Sequence, residues 1–121
     1  MGLAGSARAD GWTKADTVLE VSGAALHVMD WSQTLDIARA QVRPPGANFT
    51  RPRFAEANPI LGDRPSASAI STYFAGTLLA HAAIAYVLPH PYRTVWQMLW
   101  LGVEGGSVAN NLHAGVGFQL P

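Results

Sequence analysis

A chain of 121 residues has room for one compact domain and is too short for a barrel enzyme or a two-domain dinucleotide enzyme. Eight Lys and Arg balance eight Asp and Glu, and charged residues make up only 13% of the chain, against roughly 25% in soluble domains; this neutrality argues against nucleic acid as a partner, because phosphates are engaged by clustered Lys and Arg. The absence of cysteine removes disulfides, thiolate metal ligands and a cysteine nucleophile together, and a hydrophobic share of 49% with a mean hydropathy of only +0.12 stands between a membrane protein and a small helical soluble one.

Met1 to Trp12 is small and polar, and Ala7-Arg8-Ala9 before Asp10 has the small-x-small pattern of a signal-peptide cleavage site without the apolar stretch that precedes one. The segment reads either as the remnant of a secretory signal or as a flexible tail, which leaves 13 to 121 as a single helical domain. From Thr13 to about Arg39 no proline interrupts, and Thr13 with Asp16 three residues on predicts a capped helix. At 100° per residue, Val18, Val21, Ala25, Val28, Ser32 and Leu35 share one stripe, while Asp16, Glu20, Gly23, His27, Asp30 and Thr34 fall on the other side. The longest uncharged run of this helix, Val21 to Met29, is nine residues and includes a histidine. It is therefore too short to insert alone, and the helix enters a membrane as a packed partner or lies at its surface.

Residues 40 to 65 are punctuated by Pro44-Pro45-Gly46, Arg51-Pro52-Arg53, Asn58-Pro59 and Arg64-Pro65, which predicts a connector with no element of its own. Its length suggests that part of it is functional or packed on the helices. Ser66 to Leu88 is a run of 23 residues without Asp, Glu, Lys or Arg, about 34 Å long as a helix against a hydrocarbon core of about 30 Å. Ser68, Thr72, Gly76 and Ala80 recur every four residues in it, the small-residue stripe through which membrane helices approach closely. The third segment, Tyr92 to about Phe118, is apolar apart from Arg93 and Glu104, and Gly102 with Gly105 and Gly106 predicts a further packing face. Trp96, Trp100, Tyr92 and Tyr86 suit a membrane interface, and a soluble core almost as well. From His113 onward the helix is expected to give way to an extended tail.

Around Glu104, the residues Arg93, Gln97, Ser107 and Asn111 lie on one side of the third segment, and Met98, Leu99, Gly102 and Ala109 lie opposite. A carboxylate in mid-span costs of the order of 3 kcal/mol, so Glu104 is expected to face the bundle interior and find a partner. His27 and Asp30 are the partners expected. In a three-helix hairpin arrangement the first and third helices run parallel, and His27 and Glu104 stand 14 and 12 residues past Thr13 and Tyr92, hence at similar depth.

Two short stretches embed polar residues in apolar context: Asp30-Trp31-Ser32-Gln33-Thr34, and Glu56-Ala57-Asn58-Pro59-Ile60-Leu61-Gly62. Asp-x-x-x-Thr near the end of one helix followed by Glu-x-Asn-Pro-x-x-Gly before the next span resembles small bacterial and phage helical membrane proteins of unknown function, over roughly residues 14 to 118. The resemblance implies a small helical membrane protein and brings no activity, cofactor or catalytic residue. The residues themselves predict that Glu56 and Asn58 satisfy the end of helix one through Asp30, Gln33 and Thr34.

No catalytic frame is present. Gly105-Gly106-Ser107 sits in a helical apolar run, not in a nucleophile elbow, and Gly102-x-x-Gly105-Gly106 lacks the strand and the Lys-Ser/Thr of a phosphate loop. The four histidines, His27, His81, His90 and His113, show no paired spacing, and His81 and His113 would stand more than about 15 Å apart. No metal and no cofactor are expected.

The expectation is thus an all-α bundle of three helices, two of them spanning and the first either spanning or at the surface, in a bacterial membrane. Its interior holds a polar network of His27, Asp30, Gln33, Thr34, Glu56, Asn58, Glu104, Ser107 and Asn111, and Ser68, Thr72, Gly76, Ala80, Gly102 and Gly106 form the helix-packing stripes through which it associates with itself or a partner. The role expected is structural or interactive, with the lipid bilayer, a second copy or another membrane protein as partner, and not enzymatic. Two alternatives differ in class: a soluble or periplasmic helical module for a lipid or other apolar ligand, and a metal- or haem-dependent membrane enzyme.

Overall fold

The structure is a computed structural model, and it describes residues 11–54, 58–62 and 64–120. The tail or signal reading therefore falls, but for Gly11 and Trp12, outside the described residues, as does Glu56. In chain order the elements are α1 (Lys14–Arg39), β1 (Gln41–Val42), β2 (Arg51–Pro52), α2 (Ala67–Val87) and α3 (Tyr92–His113). The chain is an all-α three-helix bundle.

Local chemistry sets the helix ends. Thr13 Oγ1 accepts from Asp16 N at 3.1 Å while Asp16 Oδ2 accepts from Thr13 N at 2.8 Å, a reciprocal capping box that opens α1. Ser66 Oγ accepts from Ala69 N at 3.0 Å and opens α2, which stops before Pro89 because the residue preceding a proline is pushed out of the helical region. The end of α3 is a Schellman motif: Gly115 at φ +86° donates to Leu112 O, Val116 N donates to Asn111 O, and the Val116 side chain is buried. The extended tail then runs back along α1, where Gly117 N donates to Asp36 Oδ2 at 2.8 Å and Gln119 N to Ser32 Oγ at 2.8 Å.

The connector is not wholly without structure. Gln41 pairs with Pro52 and Val42 with Arg51 in a short antiparallel hairpin, and Arg53 N donates to Ala40 O. Backbone groups leaving α1 thereby gain partners that no side-chain cap provides.

The bundle is inverted in polarity. Among the described residues the buried polar side chains are eight, Asp16, His27, Gln33, Thr34, His81, Arg93, Gln97 and Glu104, against seven buried apolar ones. From Val18 to Val28 the apolar stripe of α1 faces outward, with Val18 63% and Val21 62% exposed, while Leu35 at its far end is buried; the apolar face of α3 points outward at Leu99 (62%). The apolar core is confined to the end of the bundle nearest the connector, where Leu35, Ile70 and Phe74 meet Trp31, Tyr73 and Leu61. Of the two segments expected to span, only α2 is long and apolar enough among the described residues. Arg93, Gln97, Glu104 and the Asn110-Asn111 pair make α3 too polar to qualify.

Ser68, Thr72, Gly76 and Ala80 are exposed on α2 and Gly102 and Gly106 on α3, and a Cβ added at Gly76, Gly102 or Gly106 would meet nothing within 4 Å. The close approach is instead at Gly23, where a Cβ would stand 2.6 Å from Trp100 Cε3. The reason is that α2 and α3 present buried polar and aromatic side chains to α1, and the tight spot falls where the largest of these crosses its backbone. Gly23→Ala is expected to destabilise the bundle, since overpacking costs about 1 to 3 kcal/mol and better helix propensity returns at most about 1. Gly76→Ala, with open space around it, is expected to raise stability by up to about 1 kcal/mol. Thermal unfolding of the two variants in detergent checks both, and a stabilised Gly23 variant contradicts the packing.

Candidate functional site

The polar stripes of α1 and α3 meet along the bundle axis because the two helices run parallel and bring residues of equal depth together. At the turn end, Arg93 Nη1 lies 3.0 Å from Asp16 Oδ2 and 2.7 Å from Gly11 O, and Arg93 Nε donates to Ala85 O at 2.8 Å. His90 Nε2 is 3.2 Å from the same Asp16 oxygen, and its side chain is 30% exposed. Gln97 Nε2 donates to Asp16 O at 3.1 Å.

One turn further along, buried Glu20 Oε2 and His81 Nδ1 are 3.1 Å apart, and Gln97 lies beside the Glu20 carboxyl. The His81 ring is stacked on Trp100 at 3.6 Å and on Trp96 at 4.9 Å, and Trp96 Nε1 donates to His81 O at 3.1 Å. Trp96 and Trp100 are thus half-buried against the histidine, whereas Tyr86 and Tyr92 are exposed.

In mid-bundle His27 Nδ1 lies 3.0 Å from Glu104 Oε1, both side chains being buried, and His27 Nε2 lies 2.9 Å from Phe74 O and 3.1 Å from Thr77 Oγ1. Asp30 is within hydrogen-bonding reach of the Glu104 carboxyl. Beyond them Gln33 Nε2 donates to Val108 O at 3.3 Å and Gln33 Oε1 accepts from Asn111 Nδ2 at 3.1 Å.

The column opens at its connector end into a cleft of about 300 Å³ lined by Asp30, Thr34, Asn58, Phe74, Ser107, Asn110 and Asn111. Both short stretches singled out in the sequence contribute to this cleft, and among the described residues no Lys, Arg or His lines it. Gln33 turns to α3, Thr34 Oγ1 satisfies Asp30 O of its own helix at 2.8 Å, and Asn58 Oδ1 accepts from Ile60 N at 2.9 Å in its turn. Side chains on a buried stripe face the neighbouring helix, and Asn58 of the connector lines the cleft beside Asp30 and Thr34.

The structure therefore brings together His27, Asp30, Gln33, Thr34, Asn58, Glu104, Ser107 and Asn111, and Glu56 lies outside the described residues. Sequence reading missed the pairs Asp16 with Arg93 and Glu20 with His81, and the contribution of Asn110. The equal-depth argument that pairs His27 with Glu104 would have found the first of these, since Asp16 and Arg93 both stand in the first turn of their helices. A second hollow, an apolar groove of about 190 Å³, is lined by His81, Trp96, Leu99, Trp100 and Val103. Among the described residues no group of three His, Asp or Glu side chains is arranged to hold a metal ion.

Fold and site together define a class, a three-helix bundle with a titratable column inside and apolar flanks outside. Comparison with protein families, curated proteins and solved structures finds no match.

Proposed function

We propose that this chain is a small integral protein of a bacterial membrane with a structural or protein-interaction role and no catalysis of its own. The observation that carries the reading is the inverted polarity: acidic, basic and amide side chains line the interior while Val18, Val21, Leu79, Leu99 and Val103 face outward. Ionisable residues in membrane helices face the bundle interior and pair there, and an apolar exterior of this extent is costly in water. In this reading α2 crosses the bilayer, and α1 and α3 enter with it because their charges are turned toward one another. The outward small residues of α2 and α3 supply the face for a second copy or another membrane protein. Alkaline carbonate extraction of membranes from cells expressing the chain tests it: retention supports the reading and release overturns it. Leu79→Arg puts a charge on an outward position (71% exposed) and is expected to abolish insertion. Retention of the variant equal to the parent contradicts a lipid-facing α2.

Orientation follows from the basic connector. Arg43, Arg51, Arg53 and Arg64, with Arg39 beside them, outnumber Arg93 at the opposite turn, so the connector is cytoplasmic and the N-terminus periplasmic. An alkaline phosphatase fusion at Asn48 is expected to be inactive, and activity there reverses the orientation.

The apolar groove at His81 favours a second reading, a soluble or periplasmic module for a lipid or other apolar ligand. Release by carbonate together with co-purifying lipid supports it.

A further inference from the structure

We propose that the cleft at the connector end binds a small polyhydroxylated ligand, a sugar or a polyol, through hydrogen-bonding groups contributed by α1, α3 and the connector. This goes beyond the structural role above and does not depend on the bundle lying in a bilayer. A volume of about 300 Å³ is at the lower end for ligand sites, so the cleft suits one ring-sized molecule and is far too roomy for a bare metal ion.

Several of the lining groups are held in place by the fold. Gln33 is fully buried and donates from Nε2 to Val108 O, which turns its Oε1 to Asn111 Nδ2 at 3.1 Å; the Asn111 amide therefore brings its Oδ1 to the cleft as an acceptor. Thr34 Oγ1 donates its proton to Asp30 O at 2.8 Å and so brings only lone pairs. Asn58 is fixed by its own turn, where Oδ1 accepts from Ile60 N at 2.9 Å.

The chemistry of this set selects the class of ligand. Acceptors come from the Asp30 carboxyl, Asn111 Oδ1 and Thr34 Oγ1, while Ser107 Oγ and the Asn110 amide both donate and accept. A phosphate or carboxylate ligand would meet Asp30 with no Lys, Arg or His among the described lining residues to balance it. An ammonium group only donates, and leaves the donors of Ser107 and Asn110 unused. An apolar ligand would cover all of these groups without bonding any of them. A hydroxyl donates and accepts at once, so a molecule carrying several of them engages the whole set. Phe74, the one apolar side chain among the described lining residues, gives its C–H face a ring to lie against.

The test titrates the full chain calorimetrically in lauryldimethylamine oxide, a detergent without a sugar headgroup. The hydroxylated probes are glucose, N-acetylglucosamine and myo-inositol, and ethanolamine and inorganic phosphate represent the competing classes. The expected result is saturable binding of at least one hydroxylated probe with a Kd of about 1 mM or tighter. Its affinity is expected to fall at least about tenfold in Asn110→Ala, which removes a donor and an acceptor, and in Ser107→Leu, which fills the cleft. Asn110 is exposed on α3, so its truncation spares the packing; circular dichroism checks both variants, and Asn110→Ala carries the test if the Leu variant fails to fold. No binding of any hydroxylated probe overturns the proposal, as does a folded Asn110→Ala variant that binds like the parent, or tighter binding of ethanolamine or phosphate. Adding monoglucosyldiacylglycerol to the micelles separates the two sources of such a ligand. Displacement of the bound probe supports the headgroup of a lipid, and unchanged probe binding supports a free sugar.

Discussion

Arg93→Met is expected to lower the stability of the bundle by about 3 to 5 kcal/mol, the loss typical of removing one partner of a buried ion pair. The guanidinium does several things from one place. It faces Asp16 at 3.0 Å, donates to Ala85 O and reaches Tyr86 O at the end of α2, donates to Gly11 O, and lies 5.0 Å over the Trp12 ring. Methionine fills much of the volume but leaves the Asp16 carboxylate without its cation and the last carbonyls of α2 without a donor. Arg93→Lys keeps the charge but has no planar fork for so many acceptors, and is expected to fall between parent and Met variant. Adding Asp16→Leu to Arg93→Met should recover part of the loss, because the stranded charge is gone. Thermal unfolding in detergent separates these outcomes, and a Met variant as stable as the parent contradicts the buried junction.

Glu104 carries the second large expectation. Glu104→Leu is expected to cost about 1 to 3 kcal/mol, as His27 Nδ1 loses its acceptor in a buried site. Glu104→Gln is expected to stay close to the parent, since the amide oxygen still accepts from His27 and the amide nitrogen donates toward Asp30. The same unfolding measurement compares them. Equal stability of the Leu variant and the parent places Glu104 outside the network.

The helix ends, the parallel course of α1 and α3 and the two polar stripes were legible in the sequence, because each rests on local chemistry or on a fixed period. Thr13 with Asp16 and Ser66 before an uninterrupted run mark starts, the proline cluster at 89 to 91 marks a stop and a start, and 3.6 residues per turn sorts Asp16 to Thr34 onto one side of α1. From periodicity alone it does not follow which residue touches which. Only the tertiary structure decided that the small residues Ser68, Thr72, Gly76 and Ala80 face outward while Gly23 takes the close contact, since that depends on where the Trp100 ring crosses α1. It also decided that the returning tail pairs with Asp36 and Ser32, and that Asp30, Asn58 and Asn111, far apart in the chain, border one cleft. Spacing along a helix determines the direction of a side chain; the rotation and offset of three helices against each other, set by all their contacts at once, determine its partner.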